Sequence, residues 1–193
     1  MRNIFATISF LLSILLAAGA HADCLKLRSS AGSYELCKAH DKVLAKDEHG
    51  ALKLDPRISA PIDQSDDFFA VDAALPKAEN SEAENSAVIY VRIPSAPNAG
   101  GRGYCGAGDE DYMLLVERKE RSLRLLDRLL IQSCLKNISL ASDQGYDPRH
   151  ALKTGVSPVI ASFDLLLPGD SPVKKKQVIL KDNKLLMLDS TRP

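Results

Sequence analysis

The sequence predicts a mainly β fold, in which antiparallel strands and hairpins are stapled by two disulfides. Three observations predict this class. Residues 87–93 are aliphatic, β-branched or aromatic except for Arg92, and residues 177–188 have the pattern of a hairpin. Four cysteines follow an amino-terminal segment typical of exported proteins, in which disulfides are stable. The length of 193 residues is typical of a single domain with its own core.

The composition excludes several classes of protein. Charged residues make up 26% of the chain, which is too many for an integral membrane protein. Hydrophobic residues make up 45%, which is too many for a disordered protein. Lys and Arg number 25 and Asp and Glu number 25, so the formal net charge is zero. Because nucleic-acid binding depends on a strong basic surplus, we predict no nucleic-acid partner.

The start of the chain has the pattern of a secretory signal peptide. A positively charged start precedes an apolar run over 4–18, and Ala20 and Ala22 occupy the small-residue positions before a cleavage site. The run is shorter than the roughly 20 apolar residues of a transmembrane helix, and we predict no later membrane span. We therefore predict a signal peptide over 1–22 and a single exported domain over 23–193, located in the periplasm or secreted.

Four cysteines remain after this cleavage, namely Cys24, Cys37, Cys105 and Cys134. An even number in an exported chain predicts two disulfides, for which three connectivities are possible. We favour Cys24–Cys37 and Cys105–Cys134, because partners that are near in sequence meet most easily. No C-x-x-C pair or histidine knuckle occurs, so the sequence predicts no metal site.

The first half of the exported domain is predicted as short strands and loops. Apolar and charged residues alternate over 51–54, and a turn at 48–50 joins this strand to 43–46 in a hairpin. Residues 63–67 are predicted as a loop or a helix cap. The stretch 72–87 is rich in Ala, Glu, Asn and Ser, and we predict a mobile, solvated loop there.

The second half contains stronger strand signals. The clearest strand of the chain covers 87–93, and a long irregular loop rich in Gly and Pro follows it over 94–111. Apolar strands are also predicted at 112–116 and 159–167. The chain ends in the hairpin signature within 177–188, where two apolar runs are separated by a polar turn.

The segment 122–135 fits two structures. Leu123, Leu126 and Leu130 share one helical face, which predicts a helix. Alternatively, the segment is a strand that pairs with 112–116 across a charged turn. The helix would make the fold α+β, whereas the strand would keep it mainly β.

Two segments of the chain resemble a known group of proteins. Residues 104–110 read Tyr-Cys-Gly-Ala-Gly-Asp-Glu, and residues 132–135 read Gln-Ser-Cys-Leu. They are similar to the C-G-A-G-x-E and Q-S-C-L segments of uncharacterised exported proteobacterial proteins. The resemblance implies consecutive strands between the two segments, with Cys105 and Cys134 joined across them. It favours a strand over 123–133 and implies no particular activity.

Two sequence patterns could indicate ligand sites, but each has a simpler interpretation. Residues 101–106 match G-x-G-x-x-G, yet the acids that follow would repel a pyrophosphate and Cys105 is predicted in a disulfide. The acidic clusters within 63–67 and 109–111 lack the spacing of an EF-hand, so we interpret them as solvated loop charge. We therefore predict no cofactor and no metal.

The sequence favours a binding protein over an enzyme. No G-x-S-x-G or H-E-x-x-H motif occurs. His40 and His150 have acids as sequence neighbours, an arrangement that seldom forms a catalytic triad. The alternative is a hydrolase without a recognisable motif, whose site residues are dispersed along the chain.

We therefore predict an exported, non-enzymatic module that binds another envelope or secreted protein. One such module is an inhibitor or immunity-type protein directed against an envelope-acting enzyme. The predicted binding residues lie in the loop 94–111, because loops on rigid scaffolds often carry recognition sites and because Tyr and Arg dominate interface energetics. They are Arg102, Tyr104, Asp109 and Glu110.

Overall fold

The computed structural model describes residues 23–29, 32–40, 42–71, 85–95, 108–141, 147–156, 158–166 and 173–190. The strands in these ranges are β1 (Asp23–Ser29), β2 (Gly32–Ala39), β3 (Lys42–Asp47), β4 (Gly50–Leu54), β5 (Asp67–Ala70), β6 (Ser86–Pro94), β7 (Asp109–Lys119), β8 (Ser122–Ser133), β9 (Ser139–Ala141), β10 (Lys153–Thr154), β11 (Val159–Leu166), β12 (Lys174–Lys181) and β13 (Lys184–Asp189). The helices are α1 (Pro56–Asp63) and α2 (Pro148–Ala151). The prediction of a mainly β fold is confirmed.

The strands form two sheets. The larger sheet has eight strands in the order β1-β2-β3-β4-β8-β7-β6-β5. The smaller sheet has the order β10-β11-β12-β13, and β9 pairs with the same edge of β11 as β10 does. All neighbouring strands are antiparallel except β4 and β8, which run parallel over a short contact. In this sheet, β1–β4 lie side by side in sequence order and β5–β8 lie side by side in the reverse order. The two groups meet where β8 pairs with β4.

Two hydrophobic cores lie on opposite faces of β6. Val88 and Tyr90 pack toward the smaller sheet, whereas Ala87, Ile89 and Val91 pack toward β1–β4 and α1. A strand that is buried on both faces has no polar side to alternate with its apolar side. The double burial therefore explains why this strand has the clearest signal in the sequence, and the prediction of a strand there is confirmed.

Helix α1 starts with an Asp-Pro pair. The Asp55 side chain caps the helix by accepting a hydrogen bond from the Arg57 amide at 2.9 Å, and Pro56 follows the cap at the start of the helix. Ile58 and Ile62 are fully buried in the core that α1 shares with β1–β4. Helix α2 begins with the same pair. Neither helix is predicted from the sequence, although Asp-Pro is a recognised start signal.

Among the described residues, none of the helices has the length and apolar character that a membrane span requires.

The segment 122–135 contains strand β8, so the helix and the α+β alternative are wrong. β8 pairs antiparallel with β7, as the strand alternative requires. Leu125 and Asp127 pair with consecutive residues of β7, so Leu126 is an extra residue that forms a bulge. Leu125 packs into one core and Leu126 into the other. Both faces of β8 are buried, and the extra residue at the bulge shifts which residues point to each face. Together these features give the leucines of β8 the spacing expected on one face of a helix.

The predicted hairpins are confirmed. β3 and β4 pair across the turn that follows Asp47, and β12 and β13 pair across Asp182 and Asn183. Asp182 and Asn183 have positive φ angles of 50° and 57°, which a two-residue type I′ turn requires. The strand predicted at 159–167 is observed as β11.

Both long predicted loops fall largely outside the described residues. In 72–87, only the last three residues are described, and two of them belong to β6. In 94–111, residues 96–107 lie outside, and the last three residues begin β7 instead of ending the loop. The acidic cluster 109–111 is predicted to be solvated loop charge. This prediction is wrong for Asp111, whose side chain is 0% exposed.

One of the two predicted disulfides lies within the described residues. Cys24 of β1 and Cys37 of β2 are opposite each other in the sheet and form the predicted bond. The bond fastens the edge strand β1 to β2. Cys105 lies outside the described residues, so its pairing with Cys134 stays a prediction. No cysteine of the described part is a free thiol.

Candidate functional site

The larger sheet curls so that its two edge strands lie beside each other. β1 and β5 are at opposite ends of the strand order, yet they are in contact. A cleft of about 400 Å³ opens at this junction. Its lining comes from the start of β1, from Lys38 of β2, from residues 65–69 and from Arg149. We call this space the seam cleft.

Each edge strand is paired on one side. β1 pairs with β2 along its whole length, and β5 pairs with β6 over all four of its residues. Among the described strands, none pairs with the other side of β1 or β5. A free strand edge presents backbone N–H and C=O groups that can pair with another chain. The seam cleft therefore lies between two rows of backbone hydrogen-bonding groups.

The Lys38 side chain crosses one end of the seam cleft. Its Nζ donates a hydrogen bond to the carbonyl oxygen of Ser65 at 2.6 Å. The Ser65 hydroxyl donates to the carbonyl oxygen of Ile62, also at 2.6 Å, at the end of α1. These bonds tie β2 to the segment that leads into β5, so the separation of the two edge strands is held at this end.

Arg149 of α2 lines the seam cleft and joins this helix to β5. Its two terminal nitrogens each donate to a carboxylate oxygen of Asp67 at 2.7 Å. The guanidinium lies 4.5 Å from the centre of the Phe69 ring, and that ring stacks on Tyr90 at 4.5 Å. The hydrogen bond to Asp67 raises the pKa of Arg149. A bidentate pair of this kind fixes both side chains in one geometry.

A buried ion pair lies next to β5. Arg92 of β6 is opposite Asp67 of β5 on one side and Asp111 of β7 on the other. Arg92 donates two hydrogen bonds to Asp111, from Nε at 3.0 Å and from Nη2 at 2.9 Å. Burial, followed by the charge of Asp111, raises the pKa of the neighbouring Tyr90. A hydrogen-bonded ion pair therefore lies in the interior beside the seam cleft.

Carboxylates accumulate where β5 and β7 begin. Burial raises the pKa of Asp109, and the negative charges of Asp111, Asp66 and Glu110 raise it further, against the opposing charge of Arg92. Asp109 lies 3.5 Å from Arg92 Nε. Asp66 is exposed and lines the seam cleft. This end of the cleft therefore brings the Asp66 and Asp109 carboxylates near the cations Lys38 and Arg92.

The structure separates the four predicted binding residues. Asp109 lies beside the seam cleft, as described above. Glu110 is half-buried, and its Oε1 accepts hydrogen bonds from the hydroxyls of Ser95 and Ser133 and from the amide of Leu135, at 3.2, 3.1 and 3.2 Å. This side chain therefore joins the ends of three chain segments. Arg102 and Tyr104 lie outside the described residues.

Sequence reasoning does not identify Lys38, Asp67 and Arg149 as site residues. These three residues are far apart in sequence and meet only because the sheet curls and α2 packs against β5. The acidic cluster 63–67, predicted to be solvated loop charge, contains a weak signal for Asp67. Nothing in the sequence marks β1 and β5 as the two edges, because edge position depends on the pairing of all eight strands.

Two of the three histidines in the described part lie next to an acidic side chain. His150 Nδ1 is 3.3 Å from Asp147 and His49 Nε2 is 3.4 Å from Glu48, and all four side chains are exposed. His40 occupies a turn with a φ of 52°. No group of three or more His, Cys, Asp or Glu side chains among the described residues is arranged to hold a metal ion.

Comparison with known proteins adds no assignment to this geometry. No family model, no curated protein and no solved structure matches the chain.

Proposed function

We propose that this chain is an exported, non-enzymatic module that binds another envelope or secreted protein, and that the seam cleft is its binding site. The observation that carries the proposal is the position of two strand edges, neither paired by another described strand, on either side of a cleft. A free edge binds an extended segment by strand addition, in which backbone hydrogen bonds give affinity and side-chain contacts give selectivity. Phe68, Phe69 and Arg149 supply such side chains here.

The seam cleft is held in shape before any partner binds. The Cys24–Cys37 disulfide fastens β1 to β2, and the Arg149–Asp67 pair fastens β5 to helix α2. Binding to a preformed site costs less conformational entropy than binding to a site that must first be ordered. These restraints support a binding role for the cleft.

Within this class we propose an inhibitor or immunity-type protein directed against an envelope-acting enzyme. Such a protein must bind one enzyme tightly, and a rigid scaffold with a preformed cleft favours tight binding. Asp109 belongs to the predicted binding loop 94–111 and is close to Asp66 of the seam cleft, so we retain Arg102 and Tyr104 of the same loop as proposed contact residues.

Export is a testable part of the proposal. Cleavage after Ala22 would create a new amino terminus at Asp23, which lines the seam cleft. Intact-mass analysis of the protein recovered from the periplasm or medium should show the loss of residues 1–22. A product that retains Met1, or one that carries a lipid, would contradict the predicted export route.

The binding site can be tested by photo-crosslinking. A photoreactive amino acid is placed at Asp66, which is exposed and lines the seam cleft, or at Asp63, which is exposed and does not. The two positions are three residues apart and carry the same native charge, so they form a matched pair. We expect irradiation in intact producing cells to link one envelope or secreted protein at position 66 and not at position 63.

Competition decides whether the link is specific. Excess unlabelled protein should abolish the crosslink at position 66, and the linked protein should bind the purified chain at a stoichiometry of one to one. Equal crosslinking at both positions, or a crosslink that excess protein does not reduce, would count against the seam cleft as the binding site.

A further inference from the structure

We infer that the outer face of the smaller sheet docks on an anionic lipid surface. The outer face is the side of β9–β13 that points away from the larger sheet. It is a different surface from the seam cleft, and the inference does not depend on the proposed function. Exposed apolar side chains lie on this face, and lysines surround them.

The smaller sheet has one buried face and one outer face. Val178 and Leu185 are buried in the core that this sheet shares with β6–β8. Because successive residues of a strand point to opposite faces, their neighbours Ile179 and Leu186 lie on the outer face. Ile179 pairs with Leu186 on one side and with Val159 on the other, and all three side chains are half-buried. Three adjacent strands therefore form a continuous apolar row on the outer face.

Exposed apolar side chains are concentrated on the same sheet. Six large hydrophobic side chains are exposed in the described part of the chain, and four of them belong to the smaller sheet or to the residues next to its strands. Leu188 of β13 is 45% exposed, and Val156, in the turn before β11, is 83% exposed. Leu166 and Val173 lie where β11 ends and β12 begins. Grouped exposure of this kind marks an interaction surface, whereas single exposed hydrophobic residues do not.

Four exposed lysines surround the apolar residues, and none of them forms a salt bridge among the described residues. They are Lys153, Lys175, Lys181 and Lys184. The described acids nearby are Asp164, which is opposite Lys175, and Asp182 of the hairpin turn. Lys174, Lys176 and Asp189 on the other side of the same strands add one further positive charge to the balance. The described part of the smaller sheet therefore has a surplus of positive charge.

This combination fits the surface of an anionic bilayer. Lysine has a long apolar stem that can lie along apolar surface while its ammonium group reaches a lipid phosphate. The apolar side chains between the lysines can then enter the boundary between headgroups and acyl chains. Each lysine near an anionic membrane surface strengthens binding about fivefold. Several lysines and a few exposed apolar side chains are therefore sufficient for reversible docking.

Two other occupants fit the face less well. A second copy bound about a twofold axis would bring the two sets of lysines together, and like charges in contact disfavour association. Specific protein interfaces are enriched in aromatic residues and arginine and depleted in lysine. The outer face of the described strands carries lysine and aliphatic residues, with no aromatic or arginine side chain. The composition therefore favours a lipid surface.

Sedimentation with lipid vesicles tests the inference on the exported chain. One set of vesicles contains phosphatidylcholine alone, and the other contains phosphatidylcholine mixed with phosphatidylglycerol. We expect binding to the mixed vesicles to be about tenfold tighter at low ionic strength, and salt should weaken it. Equal binding to the two sets, or no binding to either, would overturn the inference.

Two matched pairs of lysine substitutions locate the face. Lys181→Gln combined with Lys184→Gln should weaken binding to the mixed vesicles about tenfold. Lys42→Gln combined with Lys53→Gln is the control, because these lysines are also exposed on strands and form no salt bridge among the described residues. They lie on the larger sheet, beside one exposed leucine, Leu44. The control should change binding by less than about twofold, and an equal loss in both variants would contradict the placement.

A tryptophan reporter gives a second, independent readout. The chain contains no tryptophan, so Leu188→Trp introduces a single fluorophore on the outer face. Its emission should shift to shorter wavelength when the mixed vesicles are added, whereas that of Leu44→Trp on β3 should not. A shift at position 44 and not at 188 would overturn the inference. A lipid-free dimer that Leu188→Gln dissociates would assign the face to a second copy, and loss of the crosslinked protein from the Lys181 and Lys184 variant would assign it to that protein.

Discussion

Arg92 of β6 and Asp111 of β7 lie opposite each other in the larger sheet, and two hydrogen bonds of 3.0 and 2.9 Å join the guanidinium to the carboxylate. The Asp111 side chain is 0% exposed and the Arg92 side chain is 14% exposed. A slip of one residue between the strands would separate two buried charges, which is strongly unfavourable. The pair therefore fixes the register of β6 and β7 beside the seam cleft.

Asp111→Ala should destabilise the protein strongly. The substitution leaves the Arg92 guanidinium without its buried carboxylate, and we expect the free energy of unfolding to fall by about 3–5 kcal/mol. Urea-induced unfolding of the purified protein measures this change. Asp109→Ala is the matched control, because its side chain is 31% exposed and lies 3.5 Å from Arg92; we expect a loss of about 1 kcal/mol or less there. Similar losses for the two variants would contradict the role given to Asp111.

The sequence predicts the parts of this fold that depend on neighbouring residues. The strand at 87–93 and the hairpin at 177–188 are local patterns, and both are found. β8 is left open because its bulge at Leu126 and its two buried faces imitate helical spacing. The seam cleft is not predicted at all, since the contact of Lys38 with Ser65 and that of Asp67 with Arg149 depend on the curl of the whole sheet.

The Asp55 cap of α1 should make stability depend on pH. Hydrogen bonds from Arg57 lower the pKa of Asp55 from its ordinary value of 3.8 to about 2, against a smaller opposing effect of burial. Because the folded-state pKa is the lower one, the carboxylate stabilises the fold above pH 3.8 and this contribution is lost as the pH falls toward 2. Asp55→Asn should therefore be less stable than the native protein at pH 6, and the difference should shrink between pH 4 and pH 2. A difference that stays constant over this range would contradict the shift.

Removal of the Cys24–Cys37 disulfide should loosen the edge strand β1. The bond closes a loop with a sequence separation of 13 residues, for which chain entropy gives about 3 kcal/mol. We expect the double substitution of Cys24→Ser and Cys37→Ser to lower the free energy of unfolding by about this amount in chemical denaturation. Hydrogen exchange should also speed up in β1 more than in β7. Unchanged exchange in β1 would show that β2 holds the edge strand without the bond.

The second disulfide can be tested by peptide mapping under non-reducing conditions. The resemblance and the short separation in sequence both predict a bond between Cys105 and Cys134, and Cys134 directly follows the end of β8. Proteolysis of the exported protein should release the two peptides as one linked product that a reductant separates. A link between Cys24 and Cys105, or between Cys37 and Cys134, would show that the predicted connectivity is wrong.

Glu110 should contribute more to stability than to binding, whereas Arg102 and Tyr104 of the predicted loop should contribute mainly to binding. Its Oε1 accepts hydrogen bonds from the hydroxyls of Ser95 and Ser133 and from the amide of Leu135, so it connects the ends of β6 and β8. Hydrogen bonds to a charged group are each stronger than neutral ones, and we expect Glu110→Ala to lower the free energy of unfolding by about 2 kcal/mol. Glu110→Gln keeps the shape and an acceptor oxygen, so it should recover part of this loss.

The proposed role of the loop is therefore tested with Glu110 left in place. Arg102→Ala combined with Tyr104→Ala should weaken capture of the crosslinked partner while the melting temperature changes little, because this pair is proposed to contact the partner and not the core. Normal capture by the double variant would remove the loop from the binding site. Weak capture together with a large fall in melting temperature would instead assign the two side chains to the fold, because a contact made only with the partner contributes nothing to the stability of the free protein.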